Sequence, residues 1–143
     1  MKYNSFEDMP VWQKAMELTV KIFNLTETLP KKEDYSLTSQ IRRSSLSVSG
    51  NIAEGFGRKH TKDKLNFYYH SRGSLSETKS HLIYGRKVGY FEKKDFEDLL
   101  NFIDEIWKEL NSLINSLTKK LSTLTSALTL MIYRGGDENK IKH

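Results

Sequence analysis

Apolar positions recur in steps of three and four through most of the chain, and the pattern breaks where proline, glycine or charge cluster. Over residues 9–29, Trp12, Ala15, Thr19, Ile22, Phe23, Thr26 and Leu29 form one stripe, flanked by Val11, Leu18 and Leu25. Asp8 is the predicted N-cap of this first helix, Pro10 falls in its first turn and Pro30 stops it. A second helix is predicted from Leu37 to about Glu54, with Ser36 placed to cap it and Gly55-Phe56-Gly57 as its stop signal. Its apolar residues fall on two faces, Ile41/Val48/Ile52 and Leu46/Ala53/Phe56, with small Ser and Gly residues between them. A helix apolar on two sides has to be covered on two sides, here by the bundle and by a neighbouring subunit.

The third helix is predicted from Lys62 to Val88, capped by Thr61, with Leu65, Tyr68, Tyr69, Leu75, Leu82 and Ile83 inward. Gly73, Ser74 and Ser76 mark a narrow helix crossing, and Gly89-Tyr90 makes the following turn. In the fourth helix Phe96, Leu99/Leu100, Ile103, Ile106/Trp107, Leu110, Leu113/Ile114 and Leu117 alternate by three and four. Glu97, Asp98, Asp104, Glu105 and Glu109 make its outer face acidic. Leu121, Leu124 and Leu128 prolong the stripe, but Ser and Thr, poorer helix formers, fill the spaces. Either the helix projects beyond the bundle or it frays. The composition favours a tail that frays or packs separately after about Lys120. The expected organisation is an all-α, antiparallel up-and-down four-helix bundle over residues 1–120, followed by a Ser/Thr-rich C-terminal tail over 121–143.

Composition narrows the chemistry. There are no cysteines, which excludes disulfides, zinc-thiolate sites and cysteine nucleophiles. His60, His70, His81 and His143 lack metal-ligand spacing, no Glu-x-x-His pair of the di-iron type occurs, and the Ser-rich second helix has no neighbouring base. An Arg and a His four to six residues apart, as in some small helical ribonucleases, are also missing at Arg58/His60 and Arg72/His81. No catalytic residue, cofactor or metal is therefore expected. No signal-like start and no run near the roughly 20 apolar residues of a membrane span is present, so a cytoplasmic protein with no membrane partner is expected.

The net charge is +5, concentrated in the middle of the chain: residues 31–90 contain twelve basic and five acidic residues. A concentrated basic region suits a polyanion. Arg42, Arg43, Arg58, Lys59, Lys62, Arg72 and Lys79 are the candidate contacts to RNA or DNA phosphates, the loop at Arg58-Lys59 leading into a helix start that could hold phosphate. Asn51, Glu54 and Glu77 are expected instead to form a structural polar network, with the two acids half-buried and accepting from Arg42, Arg43 or Arg72.

Four ordered motifs carry a resemblance. Phe6-Glu7-Asp8-Met9-Pro10-Val11-Trp12-Gln13-Lys14-Ala15, Tyr35-Ser36-Leu37-Thr38-Ser39-Gln40-Ile41-Arg42-Arg43-Ser44, Asn51-Ile52-Ala53-Glu54-Gly55-Phe56-Gly57-Arg58 and Gly73-Ser74-Leu75-Ser76-Glu77 resemble the bacterial four helix bundle protein family. That family includes proteins encoded within intervening sequences of large-subunit ribosomal RNA genes, and the accessory variability determinant of diversity-generating retroelements is similar. The resemblance covers about residues 6–118. It implies a homopentamer with no catalytic activity, and, by the retroelement relative, binding of nucleic acid through a basic surface and of a reverse transcriptase. Arg42, Arg43 and Arg58 fall inside the shared motifs. Ser71-Arg72 departs from the alanine common before Gly-Ser-Leu, and the Ser/Thr-rich tail is additional.

Overall fold

The computed structural model describes residues 2–138, which form helices and no strand. α1 spans Pro10–Thr26, α2 Leu37–Gly57, α3 Thr61–Lys87 and α4 Lys93–Glu138, with 3-10 turns at Phe6–Asp8 and Lys31–Glu33. Successive helices pack antiparallel: α2 lies against α1 and α3, and α4 closes the bundle on α3 and α1. The core follows the three-and-four spacing, with Ala15, Leu18 and Ile22 of α1, Ile41, Val48 and Ile52 of α2, Leu75 and Leu82 of α3, and Ile106 and Leu110 of α4 sealed from solvent. Each such Leu, Ile or Val side chain stabilises by about 1.5–3 kcal/mol relative to its exposed state.

The ends of the helices are built differently from expectation. Asp8 does not cap α1; it closes the preceding 3-10 turn, where its carboxylate accepts from Ser5 N at 3.2 Å, and Met9 stands at the α1 N-cap. Ser36 likewise gives α2 no side-chain cap. Glu33 takes that role: its Oε2 accepts from Leu37 N at 3.2 Å, while Oε1 accepts from the Tyr90 hydroxyl at 2.8 Å. One carboxylate thus ties the α1–α2 link to the α3–α4 link. The Tyr90 hydroxyl first, and then the Leu37 N–H, hold its pKa below the usual carboxylate range.

α2 and α3 approach most closely, through hydroxyls rather than large apolar groups. Ser71 Oγ donates to the Val48 carbonyl at 2.7 Å, Thr78 Oγ1 lies 2.9 Å from Ser44 Oγ, and Ser47 and Ser74 Oγ are 2.9 Å apart. Ser44, Ser71 and Thr78 are fully buried, so each of these bonds also removes the cost of an unpaired polar group. Gly73, expected at the crossing, has open space where a Cβ would stand, whereas a Cβ on Gly55 would come within 2.7 Å of the Tyr68 ring. α2 runs through Gly55 and Phe56 and ends at Gly57, the last residue of the predicted stop, and Gly55 is the place where α3 comes near. Gly89, at φ +87°, makes the predicted turn into α4.

The largest departure is at the C-terminal end. The tail expected to fray or pack separately after Lys120 instead continues α4 without interruption to Glu138, with the side chains from Ser122 to Gly135 exposed. Thr118, Thr123, Thr125 and Thr129 return their hydroxyls to the carbonyl four residues earlier, so the Thr-rich segment satisfies its own polar side chains within the helix. Residues 139–143, including His143, lie outside the described residues.

Candidate nucleic-acid interface

Four of the candidate cations are engaged by acids or carbonyls inside the bundle. Arg42 spans α2 and the end of α1: its Nε donates to Thr26 Oγ1 at 2.8 Å, and Nη2 donates to Glu27 Oε1 at 2.8 Å and to the Phe23 carbonyl at 3.4 Å. Its guanidinium carbon stands 4.4 Å from the centre of the Phe23 ring. A cation at a helix C-terminus that satisfies a last-turn carbonyl is a structural clasp. Arg43 donates to Glu77 at 2.8 Å and to Gln40 at 3.0 Å. Arg58 reaches back one turn to Glu54 at 2.6 Å and lies over the Phe67 ring. Lys79 meets Asp104 of α4 at 3.5 Å.

Arg72, the residue that departs from the family pattern, donates to Asn111 Oδ1 at 2.9 Å and stands 5.0 Å from the Tyr69 ring and 5.4 Å from the Trp107 ring. It joins α3 to α4 through uncharged partners, so its positive charge is not neutralised by a carboxylate.

The polar network forms as separate pieces. Asn51 donates to the carbonyl and hydroxyl of Ser47, and through Ser47 Oγ connects to Ser74. Glu77 accepts from Arg43, and His81 Nε2 lies 3.3 Å from the same oxygen. Glu54 is exposed rather than half-buried, pairs only locally with Arg58, and reaches neither Arg42 nor Arg72. The acidic outer face of α4 is answered within the chain, by Lys14 at Glu105 and Glu109, by Lys79 at Asp104, and by Lys93 and Lys94 one turn before Glu97 and Asp98.

Lys59 and Lys62, like Arg72, have no carboxylate partner within 4.0 Å among the described residues, and both lysines are exposed. They flank the junction where α2 ends and α3 begins. The same corner contains Lys64, whose Nζ donates to the last-turn carbonyls of α2, Phe56 O at 2.7 Å and Gly55 O at 3.2 Å. Partial burial lowers the pKa of Lys64, and the positive charge of Lys120 on α4 lowers it further. Lys120 therefore stands close enough to add its field to this corner, with exposed Lys119 beside it. The sequence reading missed Lys64 and Lys120 as members of one site. They sit fifty-six positions apart, and only the antiparallel return of α4 along α3 brings them together.

The chain is thus an antiparallel helical bundle in which most of the candidate arginines serve its own packing, while exposed lysines without an acidic partner among the described residues stand at both ends, Lys59 and Lys62 at the α2–α3 junction and Lys31, Lys32 and Lys87 at the other. No group of three or more His, Cys, Asp or Glu residues among the described residues is placed to hold a metal ion, and no described helix is long and apolar enough to cross a membrane. It belongs to the 23S rRNA-intervening sequence protein family, whose model matches residues 7–112. It is also similar to the crystal structure of a protein of unknown function from the S23 ribosomal protein family of Bacteroides thetaiotaomicron, with a TM-score of 0.68 and 28% sequence identity. That alignment covers 73% of this chain and 97% of the other. No curated protein matches the sequence. The family match ends before the projecting part of α4.

Proposed function

We propose that this protein is a non-enzymatic, homo-oligomeric helical bundle that binds nucleic-acid phosphates through the lysine-rich corner between α2 and α3. The observation that carries the reading is the pair Lys59 and Lys62, exposed and unneutralised beside Lys64 and Lys120. Arg42, Arg43 and Arg58 contribute less than their sequence positions imply, because each already has a carboxylate partner. Arg72 adds charge from the neighbouring α3–α4 face. The family's description makes 23S ribosomal RNA the first nucleic acid to try.

Oligomerisation belongs to the same proposal. Leu46 is 56% exposed on the side of α2 that a neighbouring subunit would cover, while Ala53 is half-buried and Phe56 packs partly against the chain's own core. Five copies, as the family resemblance implies, would present five lysine corners and turn weak single contacts into avidity. The reading is non-enzymatic because His81 meets a carboxylate, Glu77, that is already paired with Arg43. Gel shifts at low salt with ribosomal RNA fragments and with arbitrary single and double strands test it. Retarded bands support the proposal, and an absence of binding to every strand rejects it. Cleavage of the RNA by metal-free protein, lost in His81→Ala, would replace it with a nuclease.

A further inference from the structure

The projecting part of α4 presents a second apolar surface, outside the residues that the family model matches. Leu124, Leu128 and Met131 continue, in steps of four and three, the stripe that Leu117 and Leu121 begin against the core, with Ile132 at its edge. That spacing is compatible with the a/d seam of a coiled coil. Leu124 is 51% exposed, Leu128 60%, Met131 75% and Ile132 73%. Leu130 and Tyr133 point to the opposite side and take no part.

We infer that this segment pairs with the same segment of a second copy, in antiparallel orientation, as a two-helix coiled coil. Three observations select that occupant. First, residues 121–133 contain no charged residue, so two identical segments meet without like-charge repulsion, and nothing in the stripe selects a partner of opposite charge. Second, the four exposed stripe side chains offer roughly 100 Å² each, so two copies bury about 800 Å², the size of a weak, reversible self-association. Third, antiparallel pairing separates Lys119 and Lys120 of one copy from those of the other, which parallel pairing would set side by side. A lipid surface is a poorer fit, because membrane-lying helices rely on Lys and Arg along the polar face, where this one has Ser and Thr.

Sedimentation equilibrium of the full chain without nucleic acid, compared with the double variant Leu124→Asp/Leu128→Asp, tests the pairing independently of nucleic-acid binding. Both residues are exposed, so the variant should keep its helical circular dichroism while its mass falls twofold. An unchanged mass would overturn the inference. So would flotation of the wild type with phosphatidylcholine vesicles accompanied by loss of the larger species, which would assign the stripe to lipid.

Discussion

α4 is one unbroken helix in two environments. Leu99, Ile103, Ile106, Leu110 and Ile114 are at most 6% exposed, packed against α1 and α3. Leu124, Leu128 and Met131 repeat the same three-and-four spacing and are at least half exposed. Periodicity states that a helix needs a partner along one side; it does not state whether the chain itself provides one. α3 begins at Thr61 and α1 at Pro10, so the other helices run out where α4 still has four turns to go. A hydrophobic seam that outlasts its neighbours marks the place to look for a second molecule.

The largest way to break this comparison is inside the bundled half. Leu110→Ala should cost about 2–5 kcal/mol in urea unfolding, because it leaves a cavity among fixed neighbours. Leu130→Ala, off the stripe in the projecting half, should stay within about 0.5 kcal/mol. Equal losses at the two positions would mean that the two environments are not distinct.

A smaller effect is expected where the chain turns into α4. A Cβ at Gly85 would stand 2.2 Å from the ring of Phe91, which is 2% exposed and cannot swing away into solvent. Gly85→Ala should therefore destabilise by about 1–3 kcal/mol through overpacking, despite the better helix propensity of alanine. A gain in the urea midpoint would show that Phe91 has room to move.

The smallest effect appears only in alkali. Burial pushes the Tyr68 phenol up to about 12 from 10.0. A group whose folded pKa is raised supports the fold fully below its unfolded pKa, and that support is lost as pH climbs between the two values. Stability should thus fall from about pH 10 toward 12, and Tyr68→Phe should flatten that part of the profile. Tyrosinate absorbance against pH, wild type minus variant, checks the assignment: a difference that titrates near 10 contradicts it.

Much of this architecture was legible in the sequence because it depends on local spacing. Ile41, Val48 and Ile52 identify the inward face of α2 from their positions alone, and all three are sealed in the core. The candidate site was less legible because charge pairing depends on which helix returns beside which. Arg42 lies within a basic pair in the chain, yet its partners Thr26 and Glu27 sit across the preceding turn at the end of α1. Lys64 looks like any surface lysine until α3 folds back and places it under the last carbonyls of α2. Asp8 and Ser36 have the right side chains for caps, but Asp8 accepts from Ser5 N in the 3-10 turn and the Glu33 carboxylate takes the Leu37 N–H in place of Ser36. Such competition between neighbouring hydrogen-bond acceptors is decided by a fraction of an ångström, below what residue type encodes.

The most direct measurement on the lysine corner is the salt dependence of ribosomal RNA binding, by fluorescence anisotropy, for wild type and Lys59→Glu/Lys62→Glu. Counterion release makes log Kd linear in log salt, and removing two phosphate contacts should reduce the slope by about 2. A weaker Kd with a slope shallower by that amount is the predicted result. An unchanged Kd and slope in the variant would contradict the assignment of the α2–α3 corner as the nucleic-acid surface.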